Sequence, residues 1–287
     1  MKVADKWTEY RLIDTSNGER LEDWNGVTLI RPDSQIIWKT PHKTDMWKKA
    51  DGYFQRSSFG GEKWTFRRNI DEVWQISYGN LTFNLKSTGF KNIGLSPEQA
   101  VNWDFMSDKI QAADRQINVL NLFAYTGGAT LACAAAGASV CHVDTSKSIV
   151  SWARENAELS NLSDRPIRWI VDDCEKFVTR EIKRDRRYDA IIMEPPLYSK
   201  KSNGEVWRLE DNIYDFIELC SKVLSEQPLF FMVNSSATGI LPSSMGYILG
   251  EIMIKRFGGT VIYDEIGLPV ETGEMCLPCG LTAIWQA

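Results

Sequence analysis

The stretch Ile117-Asn-Val-Leu-Asn-Leu-Phe-Ala-Tyr-Thr-Gly-Gly128 decides the fold that the sequence predicts. Residues 117–123 have the apolar pattern of a buried strand, and residues 129–136 have the composition of a helix that Gly137 closes. A strand, a short loop and a helix in this order form one unit of a parallel α/β sheet. The loop then lies at the carboxyl end of the strand, where such sheets bind ligands.

The paired glycines, Gly127 and Gly128, narrow the choice of ligand. A dinucleotide-binding fold has the pattern Gly-x-Gly-x-x-Gly, whereas these two glycines are adjacent and the next one is Gly137, so NAD is the weaker interpretation. ATP is disfavoured because no Lys-Ser or Lys-Thr follows a glycine at the spacing of a P-loop. Glycines at the start of a helix also let a ligand approach the backbone closely.

The next predicted strand, residues 138–143, ends in Asp144-Thr145-Ser146. A carboxylate at this strand end can accept both ribose hydroxyls of a nucleoside. A nucleoside ligand, a glycine loop and no phosphate motif together indicate S-adenosyl-L-methionine. Asp-Thr-Ser is also a good helix N-cap, and that interpretation is equally open for this motif alone.

Composition describes an ordinary soluble protein. The 287 residues carry a formal charge of −5, and 43% of them are hydrophobic. No apolar run has the length of a membrane span, and no signal peptide is recognised, so we expect a cytoplasmic location. The chain is long enough for one large domain or two modest ones.

The six cysteines lie mostly in apolar patterns and are expected to be reduced, structural thiols. Only Cys276-Leu-Pro-Cys279 has the spacing of a metal or redox pair. A zinc site takes about four ligands, and the chain has no second pair and only two histidines, His42 and His142. We therefore expect no metal.

The chain is predicted to have two domains. Residues 1–105 read as a β-rich domain with strands near 10–14 and 27–30 and a hairpin at 73–85. Residues 106–287 alternate strands and helices, which predicts a Rossmann-like α/β domain with a largely parallel sheet. Seven strands are predicted in it, and no helix separates the last two. In this respect the sheet resembles that of the class I methyltransferases, and the resemblance implies an antiparallel final strand.

A basic and aromatic stretch between residues 38 and 68 is the candidate RNA surface. Cations suit phosphates and rings suit base stacking, whereas the alternative is a solvated basic face over an aromatic core. The residues are Lys39, Lys43, Lys48, Lys49, Arg56, Lys63, Arg67 and Arg68, interleaved with Trp47, Tyr53, Phe54, Phe59, Trp64 and Phe66.

Two further motifs follow predicted strands. Asp172-Asp173-Cys174 comes after the third strand of the α/β domain, at the corner expected to face an adenine, although an N-cap is as good an interpretation for Asp172 and a poorer one for Asp173.

Glu194-Pro195-Pro196-Leu197-Tyr198 ends the fourth strand. Its prolines stiffen the loop and leave carbonyls and a carboxylate as acceptors for a base, on which Tyr198 could stack.

Several of these motifs resemble those of one family. Asn121-Leu-Phe-Ala-Tyr-Thr-Gly-Gly128, Val143-Asp-Thr-Ser146, Ala153-Arg-Glu-Asn156 and Asp172-Asp173 are similar to motifs of class I S-adenosylmethionine-dependent methyltransferases. Within that class the chain resembles the bacterial large-subunit ribosomal RNA methyltransferases that modify cytosine carbon-5 or guanine. The resemblance is strong over residues 89–198. The family's Asp-Pro-Pro-Lys-Phe is replaced here by Glu194-Pro-Pro-Leu-Tyr198, and no PUA module is recognised.

The resemblance implies a methyltransferase whose partner is RNA, ribosomal RNA in these relatives. Glu194, Pro195, Pro196 and Tyr198 are the candidate catalytic residues. Gln99 precedes the glycine-loop strand, from where it could fold across the cofactor, although Ser96-Pro97 beside it is also a helix-start signature. The candidate cofactor-binding residues are Gln99, Asn121, Phe123, Ala124, Tyr125, Thr126, Gly127, Gly128, Asp144, Thr145, Ser146, Asp172, Asp173, Cys174 and Glu194.

Three alternatives remain for the activity. Methylation of cytosine carbon-5 needs a cysteine thiolate, for which Cys279 is the only late candidate. A methyltransferase of small molecules or proteins and a catalytically silent RNA-binding protein are the other two. The expected assembly is a monomer or a homodimer.

Overall fold

Mostly antiparallel pairing of short strands shapes the N-terminal third of the chain. The computed structural model describes residues 1–56, 62–200 and 206–287. The first elements along the chain are β1 (Lys2–Val3), β2 (Tyr10–Ser16), β3 (Glu19–Trp24), β4 (Thr28–Pro32), α1 (Met46–Lys49), β5 (Gly52–Arg56), β6 (Glu62–Phe66), β7 (Val73–Tyr78) and β8 (Leu81–Lys86).

A five-stranded sheet and a separate hairpin organise these strands. The sheet has the order β2-β3-β4-β5-β6, in which only β4 and β5 run parallel, and β7 pairs with β8 alone. Leu21, Ile30 and Trp47 belong to a small core beside this sheet. The predicted hairpin at residues 73–85 is present, with Gly79 at positive φ in its turn.

Strands and helices then alternate, as predicted. A 3₁₀ turn (Pro97–Gln99) leads into α2 (Ala100–Gln111), and a π-helical turn (Gly250–Ile254) separates the last two helices. The remaining elements are β9 (Asn118–Leu122), α3 (Gly128–Ala135), β10 (Ser139–Asp144), α4 (Lys147–Leu159), β11 (Ile167–Val171), α5 (Cys174–Lys183), β12 (Ala190–Met193), β13 (Tyr198–Lys200), β14 (Val206–Arg208), α6 (Leu209–Ser221), β15 (Phe230–Ser235), α7 (Pro242–Leu249), α8 (Lys255–Phe257), β16 (Thr260–Pro269) and β17 (Cys276–Gln286).

The main sheet has the order β1-β16-β17-β15-β12-β9-β10-β11. The five strands from β15 to β11 are parallel, and β17 runs antiparallel to β15, which confirms the predicted reversal of the last strand. The sheet has eight described strands rather than the seven predicted. The additional strand is β1, which pairs with β16 at Lys2↔Ile266 and is too short to show a periodic pattern.

The parallel strands β9, β10, β12 and β15 are buried on both faces, which explains their nearly continuous apolar sequences, whereas the edge strand β11 is partly exposed. Leu120, Val143, Ile191 and Phe231 belong to one hydrophobic core cluster beside these strands. The order reverses at β9, because β10 follows on one side and β12 on the other. Such a switch point opens a crevice at the carboxyl ends of the strands.

The described chain divides into two compact units. One contains Met1–Val101 and Ile266–Cys279, and the other contains Asn102–Glu265 and Gly280–Ala287. The predicted domains, 1–105 and 106–287, differ from these units because Ile266–Cys279 groups with the N-terminal residues. Among the residues described, none of the helices has both the length and the apolar character needed to cross a membrane.

Candidate cofactor and acceptor site

The loop after β9 has an unusual backbone. Phe123 and Tyr125 have φ of 54° and 49°, in the left-handed region that side chains other than glycine rarely adopt, and Gly127 has φ of 92°. Ala124 N donates to Val143 O at 3.1 Å, and Tyr125 N donates to Asp144 Oδ2 at 3.1 Å. These bonds to the end of β10 hold a conformation that costs roughly 1 to 3 kcal/mol for each such residue, a feature that clusters at functional sites.

Both glycines of the loop are also required by packing. A Cβ at Gly128 would lie 2.6 Å from Cζ2 of Trp103, and one at Gly127 would lie 3.1 Å from a Leu131 methyl and 3.2 Å from Cβ of Ala153. The sequence analysis ascribed the glycines to the approach of a ligand. The structure adds that a side chain at Gly128 would overlap Trp103, whereas one at Gly127 would be tightly packed and strained by the positive φ.

Asp144 joins two loops. Its Oδ2 accepts from Tyr125 N, and its Oδ1 accepts from Ser146 N at 3.0 Å. Ser146 is the N-cap of α4 and accepts from Ile149 N, so the N-cap interpretation holds for Ser146. Each carboxylate oxygen has two lone pairs, and Asp144 can therefore accept a further hydrogen bond from a ligand.

The motif after β11, Asp172-Asp173-Cys174, also caps a helix and contacts a neighbouring loop. Asp173, rather than Asp172, is the N-cap of α5 and accepts from Lys176 N at 3.0 Å, so the preference given to Asp172 as the cap was wrong. Asp172 forms an ion pair with Arg180. Cys174 is buried and its Sγ accepts from Phe123 N at 3.4 Å, which ties the third loop to the first. Burial raises the pKa of the Cys174 thiol, so it remains protonated.

A cavity of about 470 Å³ opens where these loops meet, a size typical of small-molecule sites. Of the predicted site residues, six line it: Phe123, Thr145, Asp172, Asp173, Cys174 and Pro196. Five others that line it were not predicted: Val171, Glu175, Ser199, Trp207 and Phe216. None of these five stood in a functional motif of the sequence, and the exposure of Val171 at the end of β11 is visible only in the structure.

Asn121 and Thr126 lie behind this loop. Asn121 is 2% exposed and donates to Thr130 Oγ1 at 2.9 Å, and Thr130 Oγ1 lies 2.9 Å from Nδ1 of His142. Thr126 is buried, and its carbonyl accepts from Asn156 Nδ2 at 2.9 Å. Burial lowers the pKa of His142 to about 3, with Arg154 contributing, so the imidazole is neutral. This buried network supports β9 from within the domain.

The Glu-Pro-Pro loop is held by an indole that the sequence analysis missed. Trp207 is 4% exposed, and its Nε1 donates to Pro196 O at 2.7 Å. Leu209 N donates to Leu197 O at 3.0 Å. Glu194 is half-buried and Pro195 is buried, whereas Tyr198 is 54% exposed. An exposed ring thus follows a loop that is fixed at both Pro196 and Leu197.

The remaining predicted residues lie in the first unit. Gln99 is 8% exposed in the 3₁₀ turn, and its role in binding the cofactor stays a prediction. Cys279 is buried, and burial raises the pKa of its thiol well above the usual value. Cys276 and Cys279 are both free thiols. A buried protonated thiol is a poor nucleophile, which argues against Cys279 as the attacking group.

The basic and aromatic stretch is partly a structural core. Trp47 and Phe54 are buried, and Trp47 Nε1 donates to Asp14 Oδ2 at 2.8 Å, so these two rings cannot stack on a base. Arg68 is exposed and paired with Asp51. Phe59 lies outside the described residues. Lys39, Lys49 and Lys63 are exposed and have no ion-pair partner in residues 1–56, 62–200 and 206–287.

The cavity fits S-adenosylmethionine in chemistry and in size. Phe123, Val171 and Phe216 offer apolar faces for a flat nucleobase, and Asp172, Asp173 and Thr145 supply acceptors for amino and hydroxyl groups. The sulfonium supplies an activated methyl group when the cofactor is bound. Within the described parts of the chain, no cluster of three or more His, Cys, Asp or Glu residues could hold a metal ion.

Comparison with known proteins identifies the family. The model of a family described as S-adenosylmethionine-dependent methyltransferase matches residues 56–220. A ribosomal RNA large subunit methyltransferase K/L of Shewanella frigidimarina is 34% identical over 156 residues, which are 54% of this chain and 21% of that protein. Its counterpart from Shewanella loihica is 32% identical over 157 residues. The chain spans about a fifth of the length of these curated relatives.

Solved structures agree with this assignment. A SAM-dependent methyltransferase from Agrobacterium tumefaciens superposes with a TM-score of 0.93 and 33% identity, over 99% of this chain and 92% of that one. A protein solved in complex with SAH shares the fold, with a TM-score of 0.73 and 17% identity over 98% of this chain and 76% of that one. The chain therefore belongs to the S-adenosylmethionine-dependent methyltransferase family, and S-adenosylmethionine is its cofactor.

Proposed function

We propose that this methyltransferase acts on a base of RNA, and that ribosomal RNA is the source of that base. The observation that carries the proposal is the position of Tyr198. Tyr198 is 54% exposed, and Pro196 and Ser199, close to it in the chain, line the cofactor cavity. An exposed ring at this place offers a stacking surface for a base that has been turned out of its strand. A small polar acceptor would gain nothing from it.

The Glu-Pro-Pro loop orients the acceptor in this proposal. Methyl transfer requires in-line positioning more than acid or base catalysis. The Pro196 carbonyl accepts from Trp207, which holds the loop in place, and we assign the Glu194 carboxylate and the Pro195 carbonyl to binding the amino or imino edge of the base. Both groups accept hydrogen bonds, and the prolines between them limit the freedom of the loop.

We propose a nitrogen as the methyl acceptor. Addition to cytosine carbon-5 would require a thiolate. Cys174, which lines the cavity, and Cys279 are both buried, and burial raises the pKa of each thiol. Neither is suited to that step. An exocyclic amine or ring nitrogen needs only the acceptors that the loop provides.

The names of the relatives support an RNA substrate, since the curated ones are ribosomal RNA large subunit methyltransferases. Because the chain corresponds to about a fifth of their length, their substrate is carried over here only as a proposal. Recognition of RNA by residues 1–105, with residues 106–287 carrying the cofactor, belongs to the same proposal. So do a cytoplasmic location and a monomeric or homodimeric state.

The test is transfer of labelled methyl groups to ribosomal RNA from a strain that lacks this protein, with wild-type RNA as the reference substrate. We expect label only in the RNA from the deletion strain, and digestion to nucleosides should place it on nitrogen. Glu194→Ala should lower turnover roughly 100-fold through misplacement of the base. Glu210→Gln, an exposed change in the first turn of α6, is the matched control.

Two results would contradict the proposal. Unchanged turnover in Glu194→Ala would remove the role assigned to the loop. Absence of label in both RNAs, with cofactor binding confirmed by calorimetry, would move the acceptor to a different class of molecule.

A further inference from the structure

A second cavity lies at the opposite edge of the parallel sheet from the cofactor site. It has a volume of about 540 Å³ and is lined by the first residues of three strands, including Asn118 of β9, Ser139 of β10 and Ile167 of β11. These residues mark the amino ends of the strands, whereas the cofactor cavity lies at their carboxyl ends. Strands of five residues separate the two edges by about 15 Å.

Four arginines line this cavity: Arg165, Arg168, Arg186 and Arg187. The guanidinium groups of Arg165 and Arg186 have no hydrogen-bond or ion-pair partner anywhere in the described parts of the chain. Both side chains are exposed at the rim. Their positive charges are therefore available to a ligand.

The acidic groups nearby do not neutralise the cluster. Arg187 is paired with Asp185. Arg168 and Arg184 both approach Glu181, which is fully buried and also accepts from Tyr188 OH at 2.6 Å. The Glu181 carboxylate is thus shared by Arg168 and Arg184, and the Asp185 carboxylate neutralises only Arg187. With Arg165 and Arg186 added, the local excess is positive in a chain whose net charge is −5.

Helix dipoles do not account for the two unpaired arginines. Lys183 and Arg184 close α5, where a cation is stabilised by the helix C-terminus. Arg165 and Arg186 lie outside the helices, since α4 ends at Leu159 and α5 at Lys183. Arginine binds the oxygens of a phosphate through two parallel hydrogen bonds.

We propose that this cavity binds phosphate groups of the RNA backbone and so anchors the substrate on the side of the domain remote from methyl transfer. The inference rests on the proposed function in taking RNA as the ligand. It assigns a binding role to Arg165 and Arg186, which the sequence motifs of the cofactor site do not include. The contact carries no base specificity, because it is made to phosphates.

The experiment measures the affinity of the full chain for a labelled 20-nucleotide single-stranded RNA by fluorescence anisotropy between 0.05 and 0.2 M salt. The test variant is Arg165→Ala/Arg186→Ala. The control is Lys109→Ala/Lys255→Ala, which removes the same charge from residues of the same unit that do not line the cavity. S-adenosylmethionine affinity, measured by calorimetry, verifies that each variant is folded.

Loss of two phosphate contacts should make the negative slope of log K against log salt, where K is the association constant for RNA, shallower by about 1.4. It should also weaken binding roughly 20-fold at 0.1 M salt. The control should stay within twofold of the parent. Arg165→Lys/Arg186→Lys keeps the charges but not the forked geometry, and we expect intermediate affinity.

Equal affinity and equal slope in the arginine variant and its control would overturn the proposal. So would displacement of the RNA by inorganic phosphate at matched phosphate concentration and constant ionic strength, which would make this a site for free phosphate. Methyl transfer to RNA that is unaffected by the arginine variant at limiting RNA would refute the anchor and leave the proposed function intact. Arginine-dependent binding without methyl transfer would support the anchor and refute the proposed acceptor.

Discussion

The indole Nε1 of Trp207 donates a hydrogen bond of 2.7 Å to the carbonyl oxygen of Pro196. The same ring lies edge-on to Phe216, with centroids 5.6 Å apart, and both residues line the cofactor cavity. One side chain therefore forms a wall of the cofactor site and fixes the loop that we assign to the acceptor.

Replacement of Trp207 by phenylalanine separates these two roles. The ring is kept, but the bond to Pro196 O is lost, at a cost of about 1 kcal/mol, which corresponds to about a fivefold change. We expect kcat to fall by about this factor while the affinity for S-adenosylmethionine stays nearly constant. Steady-state kinetics and calorimetry measure the two quantities. An equal fall in kcat and in the affinity for S-adenosylmethionine would show that Trp207 acts only as a cavity wall.

Asp144→Asn should weaken cofactor binding. The amide keeps one acceptor oxygen, but its NH₂ group faces either Tyr125 N or Ser146 N, both of which now donate to the carboxylate. A partly buried donor left without its acceptor costs about 1 kcal/mol, so we expect roughly a fivefold rise in the dissociation constant of S-adenosylmethionine. Asp164→Asn, an exposed change, is the control. An unchanged constant would mean that the loop does not need this carboxylate.

Gly128→Ala should destabilise the fold. The new Cβ would lie 2.6 Å from Cζ2 of Trp103, a ring that is 4% exposed and has little room to move. Overpacking of this kind costs about 1 to 3 kcal/mol, measurable by urea unfolding. Gly89→Ala meets no atom within 4 Å and is the control. The double variant Gly128→Ala/Trp103→Leu should cost less than the sum of its single changes, and simple additivity would refute the clash.

His142 should make stability depend on pH. Burial lowers its folded-state pKa to about 3 from the usual 6.5, so the unfolded chain binds more protons between these values. Stability is then lost as the pH falls from 6.5 towards 3, with a slope of about 1.4 kcal/mol per pH unit from this residue. His142→Asn, which keeps an acceptor for Thr130, should remove that part of the slope. Identical slopes for both proteins between pH 6 and 4 would contradict the assignment.

Much of the fold could be predicted from local patterns. The strand at Ile167–Val171 and the helix at Cys174–Lys183 have the predicted bounds, because an apolar run and an N-cap followed by helical periodicity are local signals. The glycine loop was predicted from the same kind of local signal. Its residue Phe123 lines the cofactor cavity. Residues 1–105 were predicted less completely. Their strands β3, β5 and β6 lack a clear alternation of apolar and polar residues.

The sequence by itself determined the alternation of strands and helices from β9 to β12, the cofactor class and the loops at the carboxyl ends of β9, β10, β11 and β12. These follow from residues that are near one another in the chain. Only the tertiary structure decided that Trp207 and Phe216 complete the cofactor cavity, that Ile266–Cys279 belongs with the first unit, and that Arg165 and Arg186 line one cavity. Such contacts join residues that are distant in sequence and depend on how the elements pack. Periodicity and capping signals are local and carry no information about that packing.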